Sequence, residues 1–202
     1  NHVVNIGNTV NINSVTGQII PGKIEGTNFS DSLLIGHSTT GSLSSAEDNT
    51  GVGIGALDAL TSGDQNTAVG NVAGTAITSS GKNTGVGAFA LNAVSTSTGF
   101  NTAFGRSALQ LTTGSYNTGI GAGAGENITS GDGNVIIGKV SADSATGDRQ
   151  LKIAGYDGST TTTWISGDSS GNVTVSGTVT ANGETLSAGV SAGFAVAMAI
   201  AL

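Results

Sequence analysis

The stretch NTGVGIGALDALTSGDQ, residues 49–65, decides the fold because near-copies of it follow one another along the chain. Asn-Thr pairs begin at residues 49, 66, 83, 101 and 117, so the repeat advances by 17, 17, 18 and 16 residues. Weaker copies keep the same phase on both sides, beginning at Ser32, Asn134 and Leu151. Regular repetition at this length is typical of a solenoid, in which each copy forms one coil and stacks on the next.

The glycines of the copy at residues 117–134 could also be taken for a phosphate-binding loop. Gly119, Gly121, Gly123 and Gly125 alternate by two, and no G-x-G-x-x-G pattern can be drawn through them. Backbone amides that converge on an anion need glycines at set places before a helix. The repeat therefore explains these glycines better than a nucleotide site does.

Composition excludes an ordinary core of large side chains. Of the 202 residues, 34 are glycine, 4% are aromatic and 9% are charged, so burial must come from many thin layers. The net charge of −7 with only six Lys plus Arg argues against a nucleic-acid partner. Without cysteine, the chain has neither disulfides nor thiolate metal sites.

Within each copy, three kinds of position recur. The residue after Asn-Thr-x is apolar and a glycine follows it, and we expect this apolar column, Phe104 included, to point inward. An alanine comes three residues after the glycine, and a further apolar column precedes a Thr/Ser-Gly turn; the two columns are Ala56, Ala73, Ala90, Ala108, Ala124 and Leu60, Ile77, Val94, Leu111, Ile128.

These columns predict an all-β fold, a parallel β-solenoid or β-roll of about 17-residue coils. Each coil begins with a short strand over Asn-Thr-x-apolar-Gly and bends at the glycine. The segment through the alanine is compatible with either a strand or a single helical turn. The small-residue columns offer a flat face for identical copies, so we expect a homo-oligomer with cyclic symmetry.

We divide the chain into four parts: an N-terminal β segment and connector (1–31), a solenoid of seven to eight coils (32–155), a β cap (156–185) and an apolar oligomerisation segment (186–202). Alternating residues predict strands over 4–12, 173–175 and 178–180. The last segment alternates bulky residues with alanine and fits either a helix or a strand. We expect another subunit to cover it, and we do not expect it to insert into a membrane.

The repeats NTAVG, NTGVG, NTAFG and NTGIG, with their TTG or TSG turns, resemble the head repeats of trimeric autotransporter adhesins and, more closely, those of bacteriophage tail-fibre proteins. The resemblance covers residues 32–155. It implies β-rolls in a homotrimer on a virion surface, in a non-enzymatic structural fibre protein of the tail or head that attaches to a host. The alternative is a bacterial surface adhesin or a self-polymerising extracellular filament subunit, at the cell surface or outside the cell.

No catalytic, cofactor-binding or metal-binding residues are expected. His2 and His37 have no neighbours in sequence that complete a Ser/His/Asp or metal set. The expected partners are further copies of the chain, other virion or filament subunits, and a host surface glycan or protein receptor. Phe100 and Tyr116 stand in turns just before Asn-Thr, so we expect them to be exposed, and they are the candidate receptor contacts.

Overall fold

The computed structural model of the chain describes residues 22–26, 28–36, 40–95, 99–181 and 184–186. These ranges contain β-strands and turns and no helix. The strands are β1 (Gly22–Gly26), β2 (Phe29–Ile35), β3 (Ala46–Glu47), β4 (Thr50–Val52), β5 (Thr67–Val69), β6 (Thr84–Val86), β7 (Thr102–Phe104), β8 (Thr118–Ile120), β9 (Val135–Ile137), β10 (Leu151–Tyr156), β11 (Thr161–Gly167), β12 (Val173–Val175), β13 (Val179–Ala181) and β14 (Glu184–Leu186).

The sequence repeat becomes a repeat in space. Strands β2, β4 to β9 and β10 lie side by side in parallel, each one coil after the last. The pairing keeps the phase of the repeat, since Thr50 is opposite Thr67, Thr67 is opposite Thr84, and Thr84 is opposite Thr102. The prediction of an all-β parallel solenoid with coils of about 17 residues is confirmed.

The segment after each strand is neither of the two structures that the sequence allowed. In the coil of β4, the Ala56 amide donates to the Gly53 carbonyl at 3.3 Å and the Leu60 amide donates to the Leu57 carbonyl at 3.2 Å. Two successive turns therefore bring the chain back beneath its own strand. Gly55 and Leu57 take the left-handed conformation, with φ of 72° and 58°, and this reverses the direction of the chain.

The alanine column lies inside the coil, where all five alanines are fully buried. It therefore forms the core of its own chain, and it is not the flat face for identical copies that we expected. The position after each alanine holds either a fully buried leucine or a glycine, and the second apolar column closes the layer. The leucines are Leu57, Leu91 and Leu109, and the second column contributes Leu60, Ile77, Val94 and Ile128.

The apolar column of the strands points outward, so this prediction was wrong. Phe104 is 59% exposed and its counterpart Ile120 is 43% exposed. Alternation along a three-residue strand sends the middle residue inward instead, and that residue is glycine or alanine in β4 to β8. The interior has no room for more: a Cβ at Gly119 would lie 2.8 Å from Cγ of Leu109.

The second apolar column also needed one correction. Leu111 is 51% exposed, and Thr112 is fully buried in its place. The Thr112 amide donates to the Leu109 carbonyl at 3.2 Å. This bond is equivalent to the one from the Leu60 amide to the Leu57 carbonyl in the coil of β4. The Thr112 hydroxyl is satisfied inside the solenoid, because it accepts a hydrogen bond from Nδ2 of Asn117 at 3.3 Å.

Antiparallel strands flank the parallel series. Strand β1 pairs with β2, while β10, β11 and β12 form a meander, which confirms the predicted strand at 173–175. The next predicted strand starts one residue later, as β13, and pairs with β14. The predicted strand over 4–12, both histidines and residues 187–202 lie outside the described residues. No helix in the described part of the chain is long and apolar enough to cross a membrane.

Candidate functional site

A ladder of buried asparagines runs through the solenoid and fixes the turns that lie beside it. The ladder consists of Asn49, Asn66, Asn83, Asn101, Asn117 and Asn134, each at most 1% exposed. The Oδ1 atom of each of these six accepts a hydrogen bond from the backbone amide of the residue one coil further on, at 2.9 to 3.1 Å. At the last step that residue is Gln150. Sequence reasoning used the asparagines to set the phase and missed the ladder.

The residues before the six asparagines and before Gln150 form a second column, which we call the turn column: Asp48, Gln65, Lys82, Phe100, Tyr116, Gly133 and Arg149. All seven take the left-handed conformation, with φ between 52° and 67°. Each of the seven amides donates to a carbonyl of the preceding coil, for example Tyr116 to Gly99 at 3.0 Å. The backbone of the turn column is therefore held in register, and six of its seven members direct an exposed side chain to solvent.

The turn column brings the two candidate contact residues together. The ring centroids of Phe100 and Tyr116 are 4.9 Å apart and their planes differ by 11°. This distance matches the spacing of paired strands, about 4.8 Å, so the stacking of the coils itself stacks the rings. The two residues are 41% and 57% exposed, as the sequence predicted for their turn positions.

Lys82 extends the aromatic pair on one side, since its Nζ lies 4.8 Å from the ring centroid of Phe100. On the other side, the next member of the turn column is Gly133, which has no side chain to cover Tyr116. The following member, Arg149, packs against Gly133: its Cγ lies 3.5 Å from the place where a Cβ at Gly133 would stand. Lys82, Phe100 and Tyr116 thus form a three-membered ladder, and the next position beyond Tyr116 is a glycine. We call it the aromatic ladder.

The aromatic ladder suits binding by stacking. Aromatic faces bind sugar rings, other aromatic groups and cations, and rings that are already fixed in position lose little conformational entropy on binding. Acids near the ladder serve as structural acceptors: Oδ1 of Asp132 accepts from the Ser115 amide at 2.6 Å, and Oδ1 of Asp148 accepts from the Asp132 amide at 2.8 Å. Among the residues that the structure describes, no three His, Cys, Asp or Glu are placed to hold a metal ion.

Comparisons of the chain with protein-family models, with curated proteins and with solved structures find no match.

Proposed function

We propose that this chain is a structural fibre protein of a virion, without enzymatic activity, that serves attachment to the surface of a host. The aromatic ladder makes the contact, through Phe100 and Tyr116, with a surface glycan or protein. The observation that carries the proposal is the exposed, stacked pair of rings on a scaffold of hydrogen-bonded coils. The resemblance of the repeats to those of bacteriophage tail fibres supports the same conclusion.

The scaffold favours recognition because the ladder is rigid before a ligand arrives. The amide of Tyr116 is bonded to the preceding coil, and the neighbouring Asn117 is buried in the asparagine ladder. Binding at such a site needs no folding of a loop, so more of the contact energy remains as affinity. Aromatic side chains in rigid settings are also the residues that most often dominate interfaces.

The proposed assembly is a homotrimer whose subunits meet along the outward apolar column. Phe104 and Ile120 are exposed there and Ile54 lies next to the column, while threonines occupy the adjacent column. This surface is apolar in successive coils, and an exposed apolar stripe of this kind marks an interface. Other copies of the chain suit it because they carry the same repeating apolar column. Further virion subunits would hold the trimer on the particle.

Mass in solution tests the assembly. Light scattering should give three times the chain mass of 19.5 kDa, and replacing both Phe104 and Ile120 with serine should shift the mass toward one chain. A wild-type protein that stays a single chain at micromolar concentration would contradict the trimer.

Electron microscopy with gold-labelled antibodies against this protein tests the function. Label on discrete spikes of a virion is the expected result. Label along extended periodic filaments or on a bacterial envelope would replace the proposal with the filament or adhesin alternative. Turnover of a surface polysaccharide by the purified protein would contradict its non-enzymatic part.

A further inference from the structure

A second surface with the features of a binding site lies on strands β10 and β11 and shares no residue with the aromatic ladder. It is an open groove of about 380 Å³, lined by Gly155, Tyr156, Asp157, Thr160, Thr162 and Trp164. This volume falls within the range of roughly 300–1,000 Å³ that is usual for small-molecule sites. Trp164 is 52% exposed in the groove, so its indole is available to a ligand.

A β-bulge places the indole of Trp164. Ile153 is opposite Ile165 and Ala154 is opposite Thr163, so Trp164 is the extra residue on β11. Bulges of this kind redirect a side chain and are frequent next to functional sites. The indole packs over Gly155, where a Cβ would lie 2.6 Å from Cζ2 of Trp164. The position of the indole therefore depends on a residue without a side chain.

The polar side of the groove is fixed as well. Oδ1 of Asp157 accepts hydrogen bonds from the amides of Ser159 at 2.8 Å and Thr160 at 2.7 Å. These amides, that of Thr160 above all, hold the pKa of Asp157 below its usual value, so the carboxylate is charged at neutral pH. The hydroxyl of Tyr156 donates to the Gly158 carbonyl at 2.7 Å, which anchors the second ring of the groove.

The charges around the groove discriminate among ligands. Asp157 lines the groove and Lys139 does not, so an anion in the groove would be repelled by the Asp157 carboxylate. A cation such as a quaternary ammonium group would compete with Lys139, whose Nζ already lies 4.2 Å from the ring centroid of Tyr156. A neutral sugar avoids both penalties: its C–H face stacks on an aromatic ring while its hydroxyls donate to a carboxylate and exchange hydrogen bonds with threonine hydroxyls.

We propose that this groove binds one pyranose ring of a neutral carbohydrate. The ring stacks on Trp164, a hydroxyl of the sugar donates to the carboxylate of Asp157, and Thr160 and Thr162 line the remaining edge. This inference does not depend on the attachment function proposed above, because none of its residues belongs to the aromatic ladder.

Tryptophan fluorescence tests the proposal directly, because Trp164 is the only tryptophan in the chain. The full chain is titrated with the methyl pyranosides of glucose, galactose, mannose and N-acetylglucosamine, and separately with choline and N-acetylneuraminic acid. We expect a saturable change with at least one neutral glycoside. Its absence with all four overturns the proposal, as does a response to choline or N-acetylneuraminic acid alone.

A matched pair of variants locates the binding. Asp157→Asn keeps a side-chain oxygen for the turn but removes the charge, and it should weaken binding of the responding glycoside roughly tenfold or more. Asp168→Asn is the control, because Asp168 holds a similar turn through the amides of Ser170 and Asn172 outside the groove. It should leave the affinity unchanged, and equal effects of the two variants would overturn the proposal.

Discussion

A glycine follows the apolar residue of each strand from β4 to β9, at the corner where the chain bends. Replacing one of these corner glycines with alanine should force two adjacent coils apart. Gly87 follows the apolar residue of β6 and has a φ of 133°, a conformation that residues with a Cβ rarely adopt. A Cβ at this position would lie 2.5 Å from the carbonyl carbon and oxygen of Gly105 and 2.8 Å from the amide nitrogen of Arg106. All three atoms belong to the backbone of the next coil, so no side chain can move aside to make room.

The expected loss has two parts. Backbone strain at such a φ costs about 1 to 3 kcal/mol. The clash also displaces hydrogen bonds between coils, in which the Gly105 amide donates to Val86 at 2.8 Å and the Gly87 amide donates to Val69 at 2.7 Å. Each is worth about 0.5 to 1.5 kcal/mol. Gly87→Ala should therefore lower the free energy of unfolding by about 2 to 6 kcal/mol.

The control separates the clash from the strain. Gly158 has a φ of 101° and no heavy atom within 4 Å of the place where its Cβ would stand. Gly158→Ala should show the strain alone, about 1 to 3 kcal/mol. Urea unfolding followed by far-UV circular dichroism compares the two variants. Equal midpoints for both, or a Gly87→Ala variant as stable as wild type, would refute the reasoning about close-packed corners.

Three further predictions concern the core and the turns. Asn83→Ala leaves buried partners of the asparagine ladder unsatisfied and should destabilise the chain by about 1 to 3 kcal/mol in urea unfolding, whereas the exposed Asn71→Ala should change it by less than about 0.5 kcal/mol. Leu109→Ala should lower the thermal midpoint with a loss of about 2 to 5 kcal/mol, and Leu111→Ala should barely change it; equal effects would contradict the observed register. Because the pKa of Asp157 is lowered in the folded chain, its turn should be stable above the ordinary pKa of 3.8 and should loosen as the pH falls through the lower folded value. Protection factors of the turn amides, which correct for the intrinsic pH dependence of exchange, check this, and protection that stays constant or rises in acid would contradict it.

The sequence predicted the coil and its spacing but not which side of each strand is buried. In each Thr-x-apolar triplet, the apolar residue looks in sequence like the one that faces the interior. Three residues, however, are too few for alternation to decide which side of the strand is buried. In β4 to β8 the interior takes only glycine or alanine because Leu57, Leu91 and Leu109 already fill the layer. Gly74 and Gly125 stand where other coils have these leucines, so the sequence does not show the leucines as a column.

The candidate site could be predicted in part. The exposure of Phe100 and Tyr116 follows from their turn positions, but their stacking requires the coils to be in register across steps of unequal length. The asparagine ladder was missed because asparagine is usually exposed, and the only signal was its return in six successive copies beside a turn. The bulge at Trp164 depends on the pairing of β10 with β11, which no repeat encodes.

Attachment competition tests the central claim most directly. Purified wild-type protein, the Phe100→Ala/Tyr116→Ala double variant and Gln65→Ala each compete with the parent particle for the surface of its host cells. Gln65 is the matched control because it belongs to the turn column with a φ of 59° but carries no ring. We expect wild type and Gln65→Ala to block attachment and the double variant to lose this ability. Equal blocking by all three proteins, or no blocking by wild type, would contradict the account.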